Sequence, residues 1–202
     1  DVTLCVEGVD GRPVKGQFTI AHQEIAKRPK IWLEPTAVAN PAAVRAILRA
    51  DLVVVAPGNL YGSLAPVLVI DGIRRALHET RAKCVYVCNL VTKPGPTDGF
   101  TVKDFASEIE RLAGGEFLDY VVFNNDEPSP ELMEKYAHGG ELVVKYDLNE
   151  LRRQHYEFRG VPILAKQAWT GAQASDPIAS ARSFIRHDSD AVARQLMRLY
   201  FA

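Results

Sequence analysis

The chain has 202 residues, 47% of them hydrophobic and 24% charged, which is enough to close one sizeable core. Its 24 basic and 25 acidic side chains leave a net charge of −1, so nothing in the overall balance draws it to a nucleic-acid polymer or an anionic membrane surface. No apolar run reaches the ~18 residues a membrane-spanning helix needs, and no signal peptide opens the chain.

Val2 to Val9 and Val14 to Ile20, separated by Asp10-Gly11, read as a β-hairpin, because Asp-Gly between strand-like runs favours a tight turn. The chain enters this first run at once and without a methionine, so it reads as a piece of a larger protein. Lys30 to Leu33 is a short strand ending at Glu34-Pro35. Asn40-Pro41 supplies an N-cap and a first helical residue for a helix through Leu48.

Leu52 to Ala56 is a continuous apolar run of the kind found in buried parallel strands. Pro57-Gly58 stops it, Asn59, Gly62 and Ser63 supply turn chemistry, and Pro66 opens a helix through His78. Arg74 and Arg75 read as its solvated face. Lys83 to Cys88 is a second apolar strand, followed by a breaker-rich loop from Asn89 to Phe100. Thr101 then caps a helix through Leu112, with Asp104 completing a capping box. Leu118 to Phe123 is a third apolar strand, ending in Asn124-Asn125-Asp126. Further on come a short helix at Ser129 to Tyr136, strands at Glu141 to Lys145 and Val161 to Ala165, a loop from Ala168 to Ala179 and a short edge strand at Ser183 to Ile185. A terminal helix capped by Asp188 or Ser189 carries Val192, Leu196, Leu199 and Tyr200 on its apolar face.

Strands alternating with helices predict an α/β architecture around a mostly parallel sheet, with the antiparallel hairpin added at one edge. Cys5, Cys84 and Cys88 sit in apolar runs and read as buried free thiols, which suits a reducing cytosol.

In such sheets ligands bind beyond the carboxyl ends of the strands. The loops after Ala56, Cys88 and Phe123 offer Asn59, Tyr61, Ser63, Asn89, Thr92, Thr97, Asp98, Asn124 and Asn125. Each fits ordinary turn chemistry; together they fit hydrogen-bonding recognition of a sugar, nucleotide or phosphate. Backbone N–H groups from Gly58 to Ser63 could cradle a phosphate, although neither P-loop nor GxGxxG spacing is present. Arg186-His187-Asp188 reads either as a helix start or as an arginine that pairs with phosphate, beside a histidine poised near neutral pH. The histidines at 22, 78, 138, 155 and 187 have no metal-ligand spacing, and no Gly-x-Ser-x-Gly elbow supports a hydrolase triad.

Four ordered blocks carry a family resemblance. Ala50 to Pro66 resembles the "ADLIVxGPGSLYTSxxP" signature of the bacterial gluconeogenesis factors, relatives of 2-phospho-L-lactate transferase. Val87 to Phe100 resembles their "VCNxMTQPGETDGY" block, Glu34-Pro35 their "LEP" and Arg186-His187-Asp188 their "RHD". The resemblance implies a three-layer Rossmann-like fold, a cytoplasmic protein, and a UDP-sugar-binding regulator of gluconeogenic growth and cell shape. It implies contact with phosphate from Pro57, Gly58, Asn59, Leu60, Tyr61 and Ser63, a ligand wall from Asn89, Thr92, Gly95, Thr97 and Gly99, and a diphosphate partner in Arg186 next to His187. The alternative it implies is a transferase that moves a phospholactyl group from a nucleoside-diphosphate donor with a magnesium ion. In that reading Asp98 is the candidate catalytic and metal-holding carboxylate. A third reading is a scaffold acting through protein contacts, and a homo-oligomer is compatible with all three.

Departures from the pattern are Asn59 and Gly62, where the gluconeogenesis factors more often carry Ser and Thr, and Pro96 in place of Glu. Pro-Gly-Asn is closer to the "GPSNP" of the transferases. The family's N-terminal Gly-rich nucleotide loop is absent, so residues 1–202 are expected to form a single α/β domain that lacks the N-terminal nucleotide-binding half.

Overall fold

The computed structural model describes residues 1–22, 24–138, 140–165 and 185–202. Strand β1 (Thr3–Glu7) pairs antiparallel with β2 (Pro13–Lys15), forming the expected hairpin. Its second arm is shorter than expected. Gly16 takes a left-handed φ of +88° and ends the strand, and Gln17–His22 turns into helix α1 with Ile20 in the core and Phe18 outside. β1 also pairs antiparallel with β3 (Ile31–Glu34), so the hairpin belongs to its own sheet, in the order β2-β1-β3.

Helix α2 (Pro41–Arg49) is capped by Asn40, whose Oδ1 accepts from the Ala42 N–H at 2.8 Å. Strand β4 (Leu52–Val55) leads into a wide π-turn (Leu60–Leu64) and helix α3 (Ala65–Leu68); α4 (Asp71–Glu79) follows. The single helix expected from Pro66 to His78 is thus two, because Ile70 is extended between them. The remaining elements are β5 (Lys83–Val87), α5 (Val102–Ala113), β6 (Tyr120–Asn124), α6 (Pro130–His138), α7 (Leu148–Leu151), β7 (Glu157–Val161) and α8 (Ser189–Phe201).

β4, β5, β6 and β7 form one parallel sheet in that order. Its two faces follow the period-two alternation of strand side chains. Tyr86, Cys88, Val121 and Phe123 share a core with residues of α3, α4, α5 and the antiparallel sheet. Val85, Val87 and Val122 share one with Leu199 of α8. The helices therefore cover both faces, which is the three-layer α/β arrangement. β5 and β6 are buried as expected. β4 is one edge of the sheet and only half-buried, with Val54 exposed.

The Thr101 capping box on α5 is complete, and the helix ends at Gly114 in a left-handed conformation with φ of +91°. Arg74 is more than a solvated residue: its Nε donates to the Leu112 and Leu68 carbonyls at 3.0 and 3.2 Å, near the C-terminal ends of α5 and α3. Glu141 to Lys145 makes isolated bridges to Val91 and Thr101 instead of a full strand, and the last strand lies at Glu157–Val161, earlier than Val161 to Ala165. Asp188 caps α8; Leu199 on it is buried, Val192 and Leu196 are partly so, and Tyr200 is exposed. The loop expected at Ala168 to Ala179 lies outside the described residues, as does the start of the edge strand expected at Ser183 to Ile185. All three cysteines are free and buried, and burial pushes Cys84 up to about 11 and Cys88 up to about 12.

Candidate functional site

The loops after β4 and β5 lie side by side because their strands are neighbours, and a cavity of about 290 Å³ opens between them. Pro57, Gly58, Asn59, Leu60 and Tyr61 line it from the first loop; Asn89, Lys93 and Thr97 do so from the second. Arg186 and His187 close it from the residues ahead of α8.

Asn59 organises the first loop. Its Oδ1 accepts from the Gly62 N–H at 2.9 Å, and its carbonyl accepts from the Ser63 and Leu64 N–H groups at 2.8 and 3.1 Å. A side chain at Gly62 would crowd this amide, since its Cβ would stand 3.2 Å from Asn59 Cγ. The N–H groups of Gly62 and Ser63, expected in a phosphate cradle, are therefore spent inside the turn, and Ser63 is exposed outside the cavity.

Asn89 joins the two loops. Its Nδ2 donates to the Gly58 carbonyl at 2.8 Å while its Oδ1 accepts from the Tyr86 hydroxyl at 3.1 Å. Thr97 braces the second loop: its Oγ1 accepts from the Lys93 N–H at 2.7 Å and donates to the Lys93 carbonyl at 3.1 Å. Asp98 Oδ2 accepts from the Gly95 N–H at 2.9 Å. Thr92 is buried behind the wall, accepting from the Leu142 N–H at 3.1 Å. Gly99 takes a φ of +70° outside the cavity. Asn124 and Asn125 are also elsewhere: the loop after β6 is one strand further along, and their amides bond Asp126, Ile163 and Gly160.

Beneath the cavity, the Tyr61 hydroxyl donates to Glu108 Oε1 at 2.9 Å. Glu108 is fully buried and held by Arg111 through Nε at 2.8 Å and Nη2 at 2.6 Å, while the same Nη2 donates to the Pro29 carbonyl at 3.0 Å. Burial and the neighbouring Glu108 carboxylate hold the Tyr61 phenol far above its ordinary range, so it stays a donor.

A second cavity of about 690 Å³ adjoins the first, sharing Asn59, Tyr61, Lys93 and Pro96 and adding Gly95 and Asp98. Lys93, absent from the expected set, is the charged residue common to both; burial lowers its ammonium below the ordinary value. It stood out little in the sequence because a lysine in a Pro-Gly loop reads as solvated. The apolar lining by Leu90, Val91, Phe105 and Ile185 was equally hidden among core residues. Among the described residues no group of three His, Cys, Asp or Glu could hold a metal ion, and Asp98 is already engaged by Gly95. The described residues thus build no all-protein cage, whereas a magnesium ion held mainly by substrate phosphates would need only one or two carboxylates, of which Asp98 is the candidate.

His187 donates Nε2–H to the Cys88 carbonyl at 3.0 Å, and desolvation lowers its imidazole below the ordinary value of about 6.5. The unfolded chain then binds the proton more readily than the folded one. The contribution of neutral His187 to stability is full above pH ~6.5 and is lost as pH falls below it towards the folded value. His187→Gln keeps an N–H donor without the titration. Melting at pH 7 and 5.5 should show a larger drop for wild type than for His187→Gln; parallel drops would exclude His187 as the titrating group.

The family model described as 2-phospho-L-lactate transferase CofD matches residues 1–164. The gluconeogenesis factor of Bacillus subtilis is 31% identical over 200 residues, covering 98% of this chain and 58% of that protein. A Clostridium acetobutylicum relative carrying the same gluconeogenesis-factor name is 34% identical over 201 residues, covering 98% and 42%. A crystal structure of a Bacillus halodurans protein superposes with a TM-score of 0.81 at 25% identity, covering 98% of this chain and 59% of that one. The chain spans about half the length of the curated relatives it matches. Among the described residues no helix is long and apolar enough to cross a membrane. With the family model matched over most of its length and the loops after β4 and β5 forming its cavity, the chain belongs to the 2-phospho-L-lactate transferase CofD family, alongside the bacterial gluconeogenesis factors.

Proposed function

We propose that this protein binds UDP-sugar-type nucleotides in the cavity between the β4 and β5 loops, and acts in the cytoplasm as a regulator of gluconeogenic growth and cell shape. The observation that carries this reading is the lining itself. Among the described residues around the first cavity stand two cations, Lys93 and Arg186, and no carboxylate, on a wall that Asn59 and Asn89 hold in shape. That combination suits a diphosphate, and Leu60, Leu90, Val91 and Phe105 give apolar surface for a base or sugar face. Calorimetric titration of the full-length protein should detect UDP-glucose and not free glucose. Heat from neither, or equal heat from both, would sink the reading.

The second reading is a phospholactyl-type transferase, and the family model's description favours it. Asp98 is its candidate carboxylate, although the bond from Gly95 supports a turn-bracing role. Magnesium-dependent consumption of a nucleoside-diphosphate donor, lost in Asp98→Asn, would establish turnover in place of regulation by binding alone.

A further inference from the structure

Lys93 stands where the two cavities meet, and its side chain is 55% exposed. Its backbone is fixed, since Thr97 bonds both its N–H and its carbonyl. Its ammonium donates to Glu141, whose side chain is only 17% exposed. Glu141 is the fixed partner of the pair: the Thr92 N–H donates to the Leu142 carbonyl at 2.8 Å, and the Val144 N–H donates to the Leu90 carbonyl at 3.0 Å. These bonds lay the segment carrying Glu141 along the second loop. The lysine, with four flexible carbons, is the part that can move.

We propose that Lys93 is a phosphate-binding residue of this cleft and that Glu141 is the counter-ion it gives up when an anion enters. This rests on the reading of the first cavity as an anion site. An ion pair with a half-exposed lysine contributes little, because water competes for both charges. A phosphate group brings more negative charge to a wall that has no acidic residue among its described members, and charge-assisted bonds to it are stronger. Arg186 on the same wall offers a planar fork, whereas Lys93 offers a mobile point charge that can turn from Glu141 into the first cavity, the side away from Glu24 and Asp98 of the second.

A purely structural ion pair would make the loss of either partner act alike. The exchange predicts opposite signs. With inorganic pyrophosphate as probe, Lys93→Gln should weaken binding about tenfold. Glu141→Gln, which frees the lysine, should tighten it about threefold, and Lys93→Arg should stay within about threefold of wild type. Opposite signs for the first two variants support the inference whether or not UDP-glucose binds. If pyrophosphate binds and UDP-glucose does not, the nucleotide-sugar reading falls alone. If pyrophosphate binds wild type and Lys93→Gln equally, or both variants weaken alike, the inference falls alone. If wild type binds neither probe, both fall.

Discussion

Arg111→Met is expected to destabilise the protein by roughly 3 kcal/mol, the largest single effect on stability foreseen from the structure. Glu108 is fully buried, and Arg111 is the cation that compensates it, through two of its guanidinium nitrogens. Removing one partner of a buried pair costs about 3–5 kcal/mol, because the other charge stays in the protein interior. The low end applies here, since the Arg111 side chain is itself 41% exposed and water reaches part of the pair. For a chain of this length a loss of that size lowers the melting temperature by roughly 6–12 °C. Glu108→Gln added to Arg111→Met removes the stranded charge and keeps an acceptor for the Tyr61 hydroxyl, so the double variant should recover part of the loss. A single variant that melts with wild type would show that Arg111 does not compensate a costly buried charge at Glu108.

The largest effect on binding is expected at Arg186. Arg186 lines the first cavity, and a guanidinium can meet a diphosphate through two parallel hydrogen bonds, a geometry lysine cannot copy. In the full-length protein Arg186→Lys should weaken UDP-glucose binding by about 1.5–3 kcal/mol, roughly ten- to a hundredfold, while leaving the fold intact. Unchanged affinity in calorimetry would return Arg186 to the role of a residue at a helix start.

Much of the frame was legible because it rests on local rules. The apolar runs at Lys83 to Cys88 and Leu118 to Phe123 could satisfy both faces of a sheet only as central strands. Asn40-Pro41 and Thr101 with Asp104 carried their caps openly. Where the reading differed, a tertiary contact decided. Val14 to Ile20 looks like strand by its β-branched and aromatic residues, but Gly16 turns the chain and Ile20 finds the core as part of the helix Gln17–His22. Glu141 to Lys145 has strand composition, but it bridges only to Val91 and Thr101 beside the second loop. The site divided in the same way. Loop residues were visible as turn formers; strand order, which puts the β4 and β5 loops together and leaves Asn124 and Asn125 to the β6–β7 end, was not.

The Asn89 amide, engaged by Gly58 on one side and Tyr86 on the other, has a practical consequence for redesign. The groups that give the cavity its shape, Asn59, Asn89 and Thr97, have hydrogen bonds committed within the frame. Lys93 and Arg186 set its charge from the wall. Selectivity and scaffold are thus carried by different side chains. A library confined to positions 93, 96 and 186 could retune which anion is accepted while leaving intact the joint that keeps the two loops in register.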